Sequence, residues 1–272
     1  MTYIIFFTVS LLASVVGTIC GVGGGVFTKP ALDAFGVLPV NTITFLSTCC
    51  VIAMSAYNVI SEAMSKQETQ IDWNLTSWLA IGSACGGLIG KTIYSFIKSL
   101  FPNPEAVGGY QAIALFVAIT FTLLYAINKH KIKGMHISNR LTLVILGFVL
   151  GTISSFVGIG GGPMNIAVLY FFLSMSTKMA AINSLYMILI SQSASLIMTF
   201  ISHNAPVEIL SFDIGIWIML IGMIICGICG GKIGKTVQRK LSSQTVDQLF
   251  NILCVIIMLL CVYNALTKLN II

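Results

Sequence analysis

Long apolar runs alternate with short polar breaks along the chain. A spanning helix needs about 20 mostly apolar residues. Eight stretches fit that description, approximately 3–28, 40–61, 73–97, 108–128, 141–173, 178–202, 213–232 and 247–268. The breaks collect the charges and turn formers. Residues 61–72 hold Glu62, Lys66, Glu68 and Asp72, residues 101–105 hold Pro102, Asn103 and Pro104, and residues 128–140 hold Lys129, Lys131, Lys133 and Arg140. Trp73, Trp78 and Trp217 stand near segment starts, where aromatic rings sit at the headgroup level. The first run lacks the basic n-region of a cleaved leader, so it reads as a retained segment. This pattern predicts an all-α, polytopic membrane protein.

Two of the stretches are interrupted. The first contains Gly21-Val-Gly-Gly-Gly25 and the fifth Gly158-Ile-Gly-Gly-Gly162. Each glycine disfavours a helix interior by about 1 kcal/mol against alanine, so three together predict unwinding or very close packing. About eleven apolar residues follow each cluster, roughly half a bilayer at ~1.5 Å per residue. That is the pattern of a broken or re-entrant helix. The two clusters stand 137 residues apart, and the same register carries Ser47 onto Ser184. Farther on, Gly86-Gly-Leu-Ile-Gly-Lys-Thr92 matches Gly230-Gly-Lys-Ile-Gly-Lys-Thr236 at an offset of 144. The expected organisation is a first repeat over 1–128, a basic cytoplasmic linker over 129–140 and a second repeat over 141–272.

Composition supports the membrane reading. Hydrophobic residues make up 57% of the chain and charged residues 8%, against about 25% charged in soluble domains. A net charge of +6 is too sparse for nucleic acid. Its distribution is more informative. If the broken segments enter and leave on one face, ten basic residues share the linker's face and Lys29, Lys91, Lys98 and Lys268 lie opposite. The positive-inside rule then favours inverted repeats with the linker cytoplasmic; four full crossings per half would make the repeats parallel. The eight cysteines all lie in apolar stretches and read as small packing residues.

The paired G-x-G-G-G motifs, the first followed by Pro30 and Leu32, resemble those of the sulfite exporter TauE/SafE family of membrane permeases. The resemblance runs through both halves and implies a permease of the inner membrane for small sulfur-containing anions or organic acids. One departure is plain. Lys29 and Pro30 follow the first cluster, whereas Pro163 directly follows the second and Ala167 aligns with Pro30. The two halves are therefore not chemically equivalent.

Transporters with internal repeats place substrate near the midplane, between broken helices. Unwound glycines expose backbone N–H groups, and a half-helix that starts there adds a favourable dipole for an anion. The candidate substrate site is Gly23, Gly24, Gly25, Gly160, Gly161 and Gly162, completed by Lys29, Ser47, Thr48, Asn165, Asn183, Ser184 and Gln192. Close helix contact is the alternative role for the glycines, and interhelical hydrogen bonding for the polar side chains. Lys29 could attract an anion, pair with Asp33 or snorkel. The expected partners are a small anion, the lipid bilayer and a proton as coupling ion. No cofactor or metal is called for. The two G-K-T motifs lack the first glycine of a P-loop and end apolar helices instead of following strands. A gradient is then the energy source. A passive anion channel and a membrane-embedded enzyme are the rivals, the second lacking any membrane-segment histidine. Substrate, direction and oligomeric state stay open.

Overall fold

The structure is a computed structural model of the 272-residue chain and describes residues 2–33, 35, 37–65, 70–101, 104–132, 134–156, 161–201 and 213–269. Its described residues form α1 (Thr2–Cys20), α2 (Gly25–Asp33), α3 (Val40–Ala63), α4 (Trp73–Leu100), α5 (Pro104–Asn128), α6 (Arg140–Phe156), α7 (Gly162–Leu173), α8 (Thr177–Ile201), α9 (Ile214–Lys240) and α10 (Ser243–Lys268). A short 3-10 turn, Lys129–Lys131, follows α5. Among the described residues six helices, α1, α3, α5, α8, α9 and α10, are long and apolar enough to cross a membrane. Helix α4 has the length, with 28 residues, but its glycines, hydroxyls and lysines dilute its hydropathy. Among the described residues there are ten helices, and the stretches expected over 3–28 and 141–173 each divide in two.

Both divisions fall at the glycine clusters. Gly21 and Gly23 have φ of 71° and 73°, and Gly161 has φ of 106°. Only glycine adopts this region without strain. The chain reverses there. A Cβ on Gly17 would lie 2.6 Å from the Gly24 nitrogen, and one on Gly24 would lie 3.1 Å from the Ala13 carbonyl. Helix α2 therefore begins beside the middle of α1 and runs back along it. Near its end Leu32 packs in one cluster with Phe6, Ile43 and Ile216. The α6–α7 pair does the same from the other side. The amides of Met135 and Ile137 donate to the carbonyls of Phe171 and Phe172, both at 2.8 Å. The end of α7 thus returns beside the segment that leads into α6.

The molecule has two ends. At the linker end, Lys129 meets Asp247 at 2.6 Å, Lys235 meets Glu62 at 2.9 Å, and Lys178 reaches the Arg239 carbonyl at 3.5 Å. At the far end Tyr3 approaches Gly215. Packing is exchanged between the halves. Helix α4 lies on α6 and α9 lies on α1, while α3 meets α8 and α5 meets α10. Exchanging the halves leaves this pattern unchanged, which is compatible with an inverted repeat. Glycines seat the two principal contacts: Gly82, Gly86 and Gly90 on the α6 backbone, Gly230 and Gly234 on α1. The outer faces carry exposed Phe121, Leu259, Ile145 and Ile221, which suits contact with lipid tails.

Candidate functional site

The first glycine turn lies between α3 and α8. A Cβ on Gly21 would strike Ala181, and one on Gly23 would meet Ile188 at 3.0 Å and Val51 at 3.8 Å. The second turn touches the first: a Cβ on Gly162 would lie 2.5 Å from the Val22 carbonyl oxygen and 2.8 Å from Val26. The start of α2 is bare. Phe27 and Thr28 donate to the Gly24 carbonyl at 3.1 and 2.9 Å, but the amides of Gly23, Gly24, Gly25 and Val26 find no acceptor among the described residues. Free N–H groups at a helix N-terminus are an anion-binding arrangement.

Unpartnered side chains stand on the elements that meet the two turns. Asn165 is fully buried, and neither its Oδ1 nor its Nδ2 has a partner. It packs against Gly161, where a Cβ would come within 2.7 Å of Nδ2. In the first half Thr28 holds the matching position and is satisfied, donating to the Gly24 carbonyl at 2.9 Å. Ser184 Oγ and Ser47 Oγ are also buried without partners. Ser184 follows Ala181 by three residues and precedes Ile188 by four, so it shares the α8 face that meets the first turn. Ser47 stands likewise one turn before Val51 on α3. Buried polar groups are paired in the great majority of cases. Unpartnered ones beside bare amides mark a place where a polar guest would be held.

Comparison with known proteins decides the family. The model of the Sulfite exporter TauE/SafE family matches residues 6–261. The chain belongs to that family. It is also similar to the probable membrane transporter protein YunE of Bacillus subtilis (strain 168), with 21% identity over 94% of this chain and 96% of that one. No solved structure matches. Family membership and the apolar helices together make this a multi-pass protein of a transporter family.

The other candidates on this TauE/SafE chain are spread more widely. Asn183 is fully used. Its Oδ1 accepts from the Asp72 amide at 3.0 Å and Thr76 Oγ1 at 2.7 Å, and its Nδ2 donates to the carbonyls of Gln70 and Met179 at 2.8 and 2.7 Å. It fastens α8 to the start of α4. Thr48 donates to the Thr44 carbonyl in its own helix at 2.8 Å. Gln192 lies on α8, two turns beyond Ser184, and is partly exposed. Lys29 lies half-buried in the middle of α2. Gly160 lies outside the described residues. At the first turn both glycine roles coexist: it is bent and bare, yet tightly wedged. A cavity opens beside Tyr57, Ile60 and Ser61 of α3 and Met64 just beyond it. Among the described residues no three His, Cys, Asp or Glu side chains group to hold a metal.

Sequence reasoning passed over the two G-K-T lysines. Lys235 is buried and bonded to Glu62, to Ser61 Oγ at 3.2 Å and to the Asn58 carbonyl at 3.4 Å. Lys91 donates to Ser195 Oγ at 2.7 Å and Thr199 Oγ1 at 3.5 Å. Their recurrence at one position in both halves was the available signal.

Proposed function

We propose that this protein is a secondary carrier for a small anion, sulfite, a sulfonate or another sulfur-containing or carboxylate anion, and not an enzyme. The observation that carries this reading is the row of bare amides at Gly23–Val26, on a turn that meets the α8 face of the unpartnered Ser184 and touches the second turn, where the unpartnered Asn165 packs on Gly161. Backbone N–H groups and neutral hydroxyls favour a negative guest and still let it leave. In this reading the two halves, 1–128 and 141–272, are inverted repeats. The linker over 129–140 is cytoplasmic in the inner cell membrane, and a proton or substrate gradient drives transport. The tight packing around both turns is then an occluded conformation.

The test is a thermal-unfolding screen of purified protein against sulfite, sulfate, thiosulfate, sulfonates and short carboxylates, followed by counterflow in proteoliposomes. A ligand at 100 times its Kd adds about 2.7 kcal/mol of apparent stability. At least one anion is expected to raise the melting temperature and to show counterflow. Uptake without counterflow would indicate a channel. No shift at millimolar concentrations of any of them would remove the carrier reading.

A further inference from the structure

We propose that Lys91, Ser195 and Thr199 form an anion-receiving mouth at the far end, and that the polar face of α8 leads from it to the glycine turn. The proposal rests on the carrier reading and assigns its point of admission.

The two G-K-T lysines occupy matching sockets with different chemistry. Lys235 lies at the linker end, 7% exposed, with the Glu62 carboxylate at 2.9 Å and Arg239 on the same carboxylate at 3.4 Å. The repeat register places Thr199 where Glu62 stands and Ser195 where Asn58 stands. Lys91 accordingly meets two hydroxyls and, among the described residues, no carboxylate within 4.0 Å. Thr199 spends its own hydrogen on the Ser195 carbonyl at 2.9 Å. Ser195 Oγ accepts from Lys91 and keeps its hydrogen to donate. An exposed ammonium beside a free O–H is a receptor for an oxyanion.

The same face of α8 continues inward. Ser184, Ile188, Gln192, Ser195 and Thr199 follow one another at three- and four-residue steps, so they lie in one stripe. Contacts fix both of its ends: Ile188 lies against Gly23, and Ser195 and Thr199 lie against Lys91. From Ser184 to Thr199 the stripe climbs about 22 Å at ~1.5 Å per residue. Its counterpart on α3 is Ser47, Val51, Ser55, Asn58 and Glu62. Every member of that counterpart is buried, whereas Gln192, Ser195 and Thr199 are partly exposed. One stripe is buried behind an ion pair, and the other is partly exposed in the half that lies towards the far end.

The experiment measures uptake of radiolabelled sulfite and thiosulfate by proteoliposomes of defined orientation, from each side, for wild type, Lys91→Met, Lys91→Arg and Thr199→Glu. Loss of one close charge on the anion's path should raise the half-saturating concentration from the far end about tenfold in Lys91→Met. From the linker end it should stay unchanged, and Lys91→Arg should keep wild-type behaviour. Thr199→Glu supplies the missing carboxylate and should reproduce the Lys91→Met defect with no loss of melting temperature. Wild-type flux with half-saturation unaltered in both Lys91→Met and Thr199→Glu overturns the mouth and leaves the carrier intact. Absence of wild-type flux with either anion overturns both.

Discussion

A hydroxyl shut away from water without a partner forfeits about 1–3 kcal/mol. Ser184 carries that penalty on the α8 face that meets the first glycine turn, and its neighbour Asn183 does not. The difference yields opposite expectations. Ser184→Ala removes an unsatisfied group, so the free protein should melt at the same temperature or higher. The same variant should lose most of the melting-point rise produced by sulfite. Asn183→Ala breaks four hydrogen bonds and should melt lower both with and without sulfite. Thermal unfolding in detergent, with each variant in both conditions, checks the pair. The sequence marked both residues alike, as polar side chains in the apolar run Ala181-Ile-Asn-Ser-Leu185. One helical step of about 100° separates them. Which of the two meets Thr76 and which meets the glycine turn depends on the neighbours of α8, and no local pattern states that.

Glycine divides its work by element. In the turns, positive φ at Gly21, Gly23 and Gly161 lets the chain reverse. In α4 and α9, glycines let backbones meet. A Cβ on Gly86 would enter the Phe148 carbonyl oxygen, while one on Gly87 finds its nearest neighbour, the Gly151 oxygen, only at 4.0 Å. Gly86→Leu should therefore separate α4 from α6 and abolish recovery of monodisperse protein. Gly87→Ala should be tolerated and gain up to about 1 kcal/mol from helix propensity. Size-exclusion profiles and melting curves of the two distinguish them. The breaks and the half-length helices were legible in the sequence, because three consecutive glycines are a local fact. The pairing of α4 with α6 and of α1 with α9 was not. The glycines announce a close contact without naming the partner.

Across the whole molecule, charge is distributed unequally. The pairs Lys129–Asp247, Lys235–Glu62 and Arg239–Glu62 all stand at the linker end. They join α3 to α9 and the linker to α10. Removing one partner of a buried pair costs about 3–5 kcal/mol, whereas replacing both with apolar residues is often neutral. Glu62→Gln should thus lower stability, and Glu62→Met combined with Lys235→Met should restore most of it, as read from denaturant or thermal midpoints.

The bare amides at the start of α2 are the feature on which the proposed transport of an anion depends. Their most direct test is diffraction from crystals soaked in selenite, an anomalously scattering relative of sulfite. A selenium peak that places selenite oxygens within hydrogen-bond distance of the amides of Gly23–Val26 and of Ser184 Oγ is the expected result. Selenium bound only at the molecular surface, with the glycine turn unoccupied at saturating selenite, would contradict it.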